Sequence, residues 1–295
     1  MSYRAHEAFV APARQRCELW RLGIGLVLGA VIVYGLNWAV QAIAMTLFGQ
    51  AGYADFRAVV GSPGSPAGAL YLLFSLGLMI VAAAMVANQL HGRGLPTLIG
   101  VPRLAGRQFL RVLAYLAGLY ALVWLLPPWE LPAPLAPGLP FDRWVVLLPL
   151  SLLAVLVQTS AEEIVFRGYI QQQLAARFAP SAVWMGGPAI LFAALHYRPE
   201  MGGAAWLFVV WAGLFSLMAS DITARAGTLG PAIALHFASN AVAIILVSGD
   251  PDLTGLALWR MKIDMTDPAV LWPMMSIDMA MLLVSWLTVR LVLRR

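Results

Sequence analysis

Apolar and polar positions do not alternate along this chain. Apolar residues run in unbroken blocks at 22–48, 68–90, 109–126, 144–177, 181–197, 204–224, 228–248 and 270–292, separated by short clusters of Arg, Pro and Gly. A bilayer needs about 20 consecutive apolar residues per helix, and a barrel would show alternation within much shorter segments. The pattern therefore predicts an all-α polytopic membrane protein with eight transmembrane helices. Residues 22–48 exceed the roughly 7–15 residues of a signal-peptide core and read as a retained first span. The fourth block, 144–177, exceeds the bilayer requirement, so its helix is expected to tilt, bend or protrude. Between the blocks, 49–67 is a Gly/Pro/Ser loop and 91–108 a basic surface connector. Residues 127–140 hold six prolines and read as a loop, 178–180 as a tight turn, and 249–269 as a polar loop.

Composition agrees. The chain is 61% hydrophobic and 11% charged, against about 45–50% and about 25% in soluble domains. The net charge of +5 is a matter of topology, because the arginines stand at span ends. With the N-terminus inside, thirteen arginines fall on inner segments and only five Arg or Lys on outer ones. That asymmetry predicts both termini cytoplasmic and excludes a nucleic-acid surface. The organisation is then a basic cytoplasmic arm, 1–21, one transmembrane domain, 22–292, and a short tail, 293–295. Eighteen arginines against one lysine suggest a GC-rich genome and a bacterial inner (plasma) membrane. One cysteine, Cys17, excludes an internal disulfide and a Cys-rich metal site.

Against this background a few polar residues stand out. Glu162, Glu163 and Arg167 lie inside the fourth block, where each charge costs roughly 2.5–3.5 kcal/mol, so they mark a functional site. Glu163 and Arg167, four apart, can neutralise each other on one helix face; Glu162 lacks such a partner. Two of the four histidines, His196 and His236, lie in the fifth and seventh blocks. Glu162 precedes the turn at Ala179 by seventeen residues and His196 follows it by seventeen. In an unbroken helical hairpin both rise about 25 Å and end level. His236 and Asn240, four apart, share a face, as do Phe192 and His196. A carboxylate in such a site is a competent general base toward water, a level histidine can orient that water, and a second histidine with an asparagine can supply oxyanion donors. The set suggests amide hydrolysis by activated water without a covalent intermediate.

These residues carry a resemblance. Glu162-Glu163-x-x-x-Arg167 followed by Gly168, then Phe192-x-x-x-His196, then His236-x-x-x-Asn240 resemble, in order and spacing, the three motifs of the CAAX protease and bacteriocin-processing (CPBP, or Abi) family. The similarity covers about 144–248. It implies the type II CAAX endopeptidase (Ras-converting endopeptidase-like) architecture, a helical bundle with an intramembrane active site. In that architecture Glu162 would activate water with help from His196, and His236 and Asn240 would form the oxyanion hole. Glu163 and Arg167 would support the site by charge pairing. The implied function is an intramembrane endopeptidase acting on a membrane-associated peptide or protein, lipidated or not.

Two other readings stay open. Glu162, His196 and His236 form a two-histidine, one-carboxylate set of the kind zinc accepts, although no His-Glu-x-x-His helix is present; the metal-free reading, with no cofactor, is preferred. The other is a non-catalytic scaffold or ion/proton pathway in which the same groups relay charge.

Overall fold

The computed structural model describes residues 3–126, 133–249, 251–261, 263 and 267–294. Residues 1–2 of the basic arm, 127–132 of the proline-rich connection, and Lys262 and Arg295 of the charge tally lie outside the described residues. The fold is almost wholly helical, as an integral membrane protein built of apolar blocks requires. Among the described residues, six helices are long and apolar enough to cross a membrane: Leu19–Val60, Pro66–His91, Leu95–Leu125, Phe141–Arg177, Pro199–Ala226 and Ala269–Val292. Two shorter apolar helices, Ser181–Leu195 and Gly230–Leu246, stand where the fifth and seventh spans were expected.

The chain opens with α1 (Arg4–Val10) and a tight helical turn over Ala11–Arg16. Helix α2 (Leu19–Val60) follows, and its helical character continues beyond the expected end at 48. Gly49 interrupts it at φ 66°, a left-handed conformation that glycine adopts without a Cβ penalty. Large apolar side chains of α2 such as Val27, Val31, Tyr34 and Trp38 point outward, the arrangement expected where the solvent is hydrocarbon. The second span is two helices in line, α3 (Pro66–Ser75) and α4 (Leu78–His91). Ser65 caps α3 by accepting from the Gly68 amide at 3.1 Å. The basic connector contains α5 (Leu95–Ile99), and α6 (Pro102–Leu125) starts seven residues before the expected 109, because Pro at a first helical position is already set for a helix.

The long fourth block is one continuous helical rod. Helix α7 (Phe141–Glu163) passes into a π-helical segment, Ile164–Gln171, and then α8 (Gln172–Arg177). The rod carries Pro149 inside α7 and a widened turn directly after the two carboxylates, the two kinds of position at which long helices bend. Helix α9 (Ser181–Leu195) folds back, and α10 (Ala205–Ala226) packs against it. Helix α11 (Gly230–Ala241) is buried nearly all round by α6, α7, α10 and α12 (Pro268–Val292). A helix apolar on every side belongs inside protein.

The loops hold a feature the sequence pattern did not predict, a three-stranded sheet. Strand β1 (Leu135–Pro137) pairs antiparallel with β3 (Trp259–Met261), which pairs parallel with β2 (Val247–Ser248). It closes one end of the bundle, where Trp144 of α7 donates its indole N–H to the Ile245 carbonyl at 2.9 Å.

The opposite end is closed by α1. Its His6, Phe9 and Val10 are buried, and Tyr3 donates to Asp221 of α10 at 2.8 Å. Asp221 also accepts from Arg225 and, at 3.1 Å, from Trp286 of α12, so one carboxylate ties three elements. The Gln171 amide N–H donates to His6 Nε2 at 3.3 Å, and Trp184 packs on the His6 ring with centroids 4.5 Å apart. Burial pushes the His6 imidazole down to about 4, opposed by Glu7 and reinforced by Arg14.

A histidine with a depressed folded value binds fewer protons when folded, so its neutral form stabilises docking above about pH 6.5 and that contribution fades toward pH 4. Over that window α1 is expected to loosen by on the order of 3 kcal/mol. The hydrogen-exchange protection factors of residues 4–16, taken relative to the intrinsic rate at each pH, should fall on acidification in the wild type and change far less in His6→Gln.

Candidate active site

The site is built on the end of α7, the adjoining π segment, α9, α10 and α11. Glu163 and Arg167 are fully buried, and Arg167 Nη1 donates to Glu163 Oε1 at 3.0 Å. The same oxygen lies 2.8 Å from His236 Nδ1 of α11. An ionised carboxylate can only accept, so His236 carries its proton on Nδ1 and, when neutral, presents a lone pair at Nε2. That Nε2 stands 3.7 Å from Glu162 Oε2. Glu162 keeps a small exposed fraction, 16% of its side chain, while Glu163 has none. The two adjacent carboxylates therefore differ in access: one is sealed into the bundle and the other lines its edge.

A residue not singled out from the sequence completes the group. Gln158, one helical turn before Glu162, donates Nε2–H to Glu162 Oε1 at 2.6 Å and accepts from Asn240 Nδ2 at 3.0 Å. One amide thereby links the first-motif carboxylate on α7 to the asparagine on α11. Its spacing of four before Glu162 is the only sign the sequence offers; a lone glutamine in an apolar block otherwise reads as helix–helix glue.

Phenylalanines enclose the charges. Arg167 lies over the rings of Phe192, Phe215 and Phe166 at 5.1, 5.5 and 5.9 Å. Phe192 is the hub: its ring meets Phe166 edge-on at 4.9 Å and lies 5.8 Å from Phe215. These contacts supply cation–π stabilisation in place of the water that a buried guanidinium has lost. Among the described residues, Arg167 Nε and Nη2 and Glu163 Oε2 have no hydrogen-bond partner, so Glu163 Oε1 serves as the common acceptor. Gly168 lets the π segment press on α5: a Cβ there would stand 2.6 Å from the Leu98 carbonyl oxygen.

His196 lies at the end of the returning arm. It sits at the C-cap of α9, with Nδ1 donating to the Phe192 carbonyl at 2.8 Å and its ring 4.4 Å from that of Phe192. No hydrogen bond or ion pair joins it to Glu162 among the described residues. The hairpin estimate took both arms as unbroken α-helices; the π segment lies between Glu162 and the turn, so equal residue counts no longer mean equal rise. Also among the described residues, no three His, Cys, Asp or Glu side chains gather closely enough to hold a metal ion. The trio Glu162, His196 and His236 therefore does not fit a zinc site in this arrangement.

Comparison with known proteins places the segment. Residues 144–242 match the family model of type II CAAX prenyl endopeptidases, Rce1-like, so this segment is an Rce1-like domain. Every site residue named above lies inside it. The chain is also similar to the uncharacterized protein YyaK of Bacillus subtilis, 33% identical over 108 residues, which is 34% of this chain. The match spans a third of that relative, 33% of its length. No solved structure matches this chain.

Breaking the buried ion pair should cost far more than breaking a surface one. Glu163→Ala leaves Arg167 charged among three phenylalanines and is expected to destabilise the fold by about 3–5 kcal/mol. Thermal unfolding of the detergent-solubilised protein would register this as a large fall in Tm. A variant melting like wild type would show that the pair is not sealed from water.

Proposed function

We propose that this chain is an intramembrane endopeptidase that hydrolyses a peptide bond of a membrane-associated polypeptide by water activated at Glu162. The observation that carries the reading is the pair of acceptors facing each other, Glu162 Oε2 and His236 Nε2, 3.7 Å apart at the end of α7. Two acceptors that close cannot bond to each other, but one water can donate a proton to each. Its oxygen lone pair is then directed away from both, toward an incoming carbonyl carbon.

The proton balance follows from the tautomer. Glu162 takes the proton from the attacking water and later delivers it to the leaving amine. His236 has its Nδ1–H committed to Glu163, so its neutral ring serves through Nε2, holding the attacking water by accepting its second O–H. Asn240, aligned by Gln158, supplies a donor to the tetrahedral oxyanion. His196, with Nδ1 held by Phe192, has Nε2 left to accept from substrate or water. Arg167 touches no reacting atom in this scheme and acts by fixing Glu163.

Eight membrane crossings with both termini cytoplasmic remain the topology that best satisfies the arginine distribution. The substrate class is the one the Rce1-like domain suggests, a polypeptide held at the membrane, with or without a lipid.

Glu162→Ala and His236→Ala are expected to abolish peptide cleavage, by at least about a thousandfold in kcat, while the protein still inserts and elutes as wild type. Gln158→Ala should lower kcat by about ten- to a hundredfold with little change in KM, since it aligns groups without touching substrate. Cleavage that survives in all three variants would sink the assignment of the site. A scaffold or ion pathway would instead show no cleavage in the wild type and a transport or binding defect in Glu162→Gln. Chelator treatment is expected to leave turnover unchanged; loss of activity restored by added zinc would require a metal.

A further inference from the structure

A second concave site lies at the α1 end of the bundle, away from the carboxylates. It is a cavity of about 710 Å3 between α1 and the turn that joins α8 to α9. Arg4, Arg14 and Arg177 line it together with Glu7, Phe178 and Trp184. Arg14 is paired with Glu7. Among the described residues, neither Arg4 nor Arg177 has a hydrogen bond or ion pair. The cavity thus holds two uncompensated guanidinium groups, and its one carboxylate is already neutralised.

Its surroundings are mixed in a particular way. Tyr3 and Trp184 line it edge to face, with ring centroids 5.8 Å apart, and part of the wall is apolar, from Val10, Ala175 and Ala176. Its lining includes the residues where the apolar helix Phe141–Arg177 ends and Ser181–Leu195 begins. A ligand here would place a charged group against the arginines and an apolar body along the helix ends.

We propose that this cavity binds the phosphate-bearing headgroup of an anionic phospholipid. Guanidinium groups match phosphate oxygens in geometry as well as charge, and basic pockets at the ends of membrane helices suit such headgroups. The apolar wall beside the arginines favours a lipid over a free anion, which would leave it bare. Because α1 forms one side of the cavity, a bound headgroup joins α1 to the α8–α9 turn and holds the N-terminal segment on the bundle. This inference does not depend on the peptidase reading.

The test is lipid binding by the detergent-purified full chain, followed by native mass spectrometry during titration with phosphatidylglycerol, with phosphatidylcholine as the neutral comparison. Phosphatidylglycerol is expected to bind preferentially. Arg4→Gln and Arg177→Gln should each weaken it about fivefold and the double variant about thirtyfold. Arg177→Lys should keep most of the affinity, and Arg57→Gln, on another part of the surface, all of it. Unchanged Tm in phosphatidylcholine nanodiscs verifies folding of each variant; if the double variant fails that check, the single Arg177 substitutions decide. A wild-type preference for phosphatidylglycerol in the substituted chains, or equal binding of phosphatidylcholine, overturns the proposal. Displacement of the lipid by equimolar inorganic phosphate would also overturn it, showing a free-anion site.

Discussion

A full positive charge without access to water organises the middle of this bundle. Arg167 is entirely enclosed, and a buried guanidinium stays only if its partners repay the lost hydration. Glu163 supplies the counter-charge and three phenylalanines supply the ring faces. The carboxylate that neutralises Arg167 also receives the His236 N–H, so the arginine indirectly fixes the histidine's tautomer and ring direction. The helices bearing Phe192, Phe215 and His236 must then converge on one point. Their packing and the polarity of the site follow from the same requirement.

A second polar layer repeats this logic one or two turns further on. Gln171, Gln172 and Gln173 are all buried and reach in three directions. Gln171 meets His6 and the Ser220 carbonyl, while Gln172 accepts from Arg93 at 2.6 Å and donates to the Thr97 carbonyl at 2.9 Å. His91 joins the Arg16 carbonyl to the Tyr169 hydroxyl. The close approach needs small neighbours: a Cβ at Gly25 of α2 would overlap the Tyr169 hydroxyl. These glutamines bind the N-terminal segment, α4 and α5 to the rod that carries the carboxylates. A polar network with so many partners favours one arrangement of helices over others of equal apolar burial, because in low dielectric each unmade bond is costly.

How much of this was legible in the sequence depends on whether the signal was carried by period or by partnership. The helical blocks were visible because apolar runs long enough to meet a bilayer have few other uses. Charges at membrane depth were visible because they are expensive there. Helix ends set by single residues were not: Gly49 reads as a loop opener yet only breaks a helix that resumes, and Pro102 starts a helix in a segment that looks like a basic connector. The sheet was hidden because its strands are two or three residues long, too short for alternation to register. Gln158 and the three consecutive glutamines were hidden for a different reason. A neutral amide in an apolar block costs little enough to look incidental, and its role appears only when the partner on another helix is known.

The two site histidines show how one residue type acquires different chemistry from what its ring faces. His196 donates its Nδ1–H to a carbonyl of its own helix, a neutral acceptor that orients the ring. His236 donates the corresponding N–H to the buried Glu163 carboxylate, which fixes its tautomer and leaves Nε2 facing Glu162. In the proposed scheme only the second therefore stands ready to accept from the attacking water. The division of labour between them is therefore set by what each Nδ1 faces, and that in turn rests on Glu163 being held by Arg167. In that scheme a charge pair that contacts no reacting atom decides which histidine shares the water with Glu162.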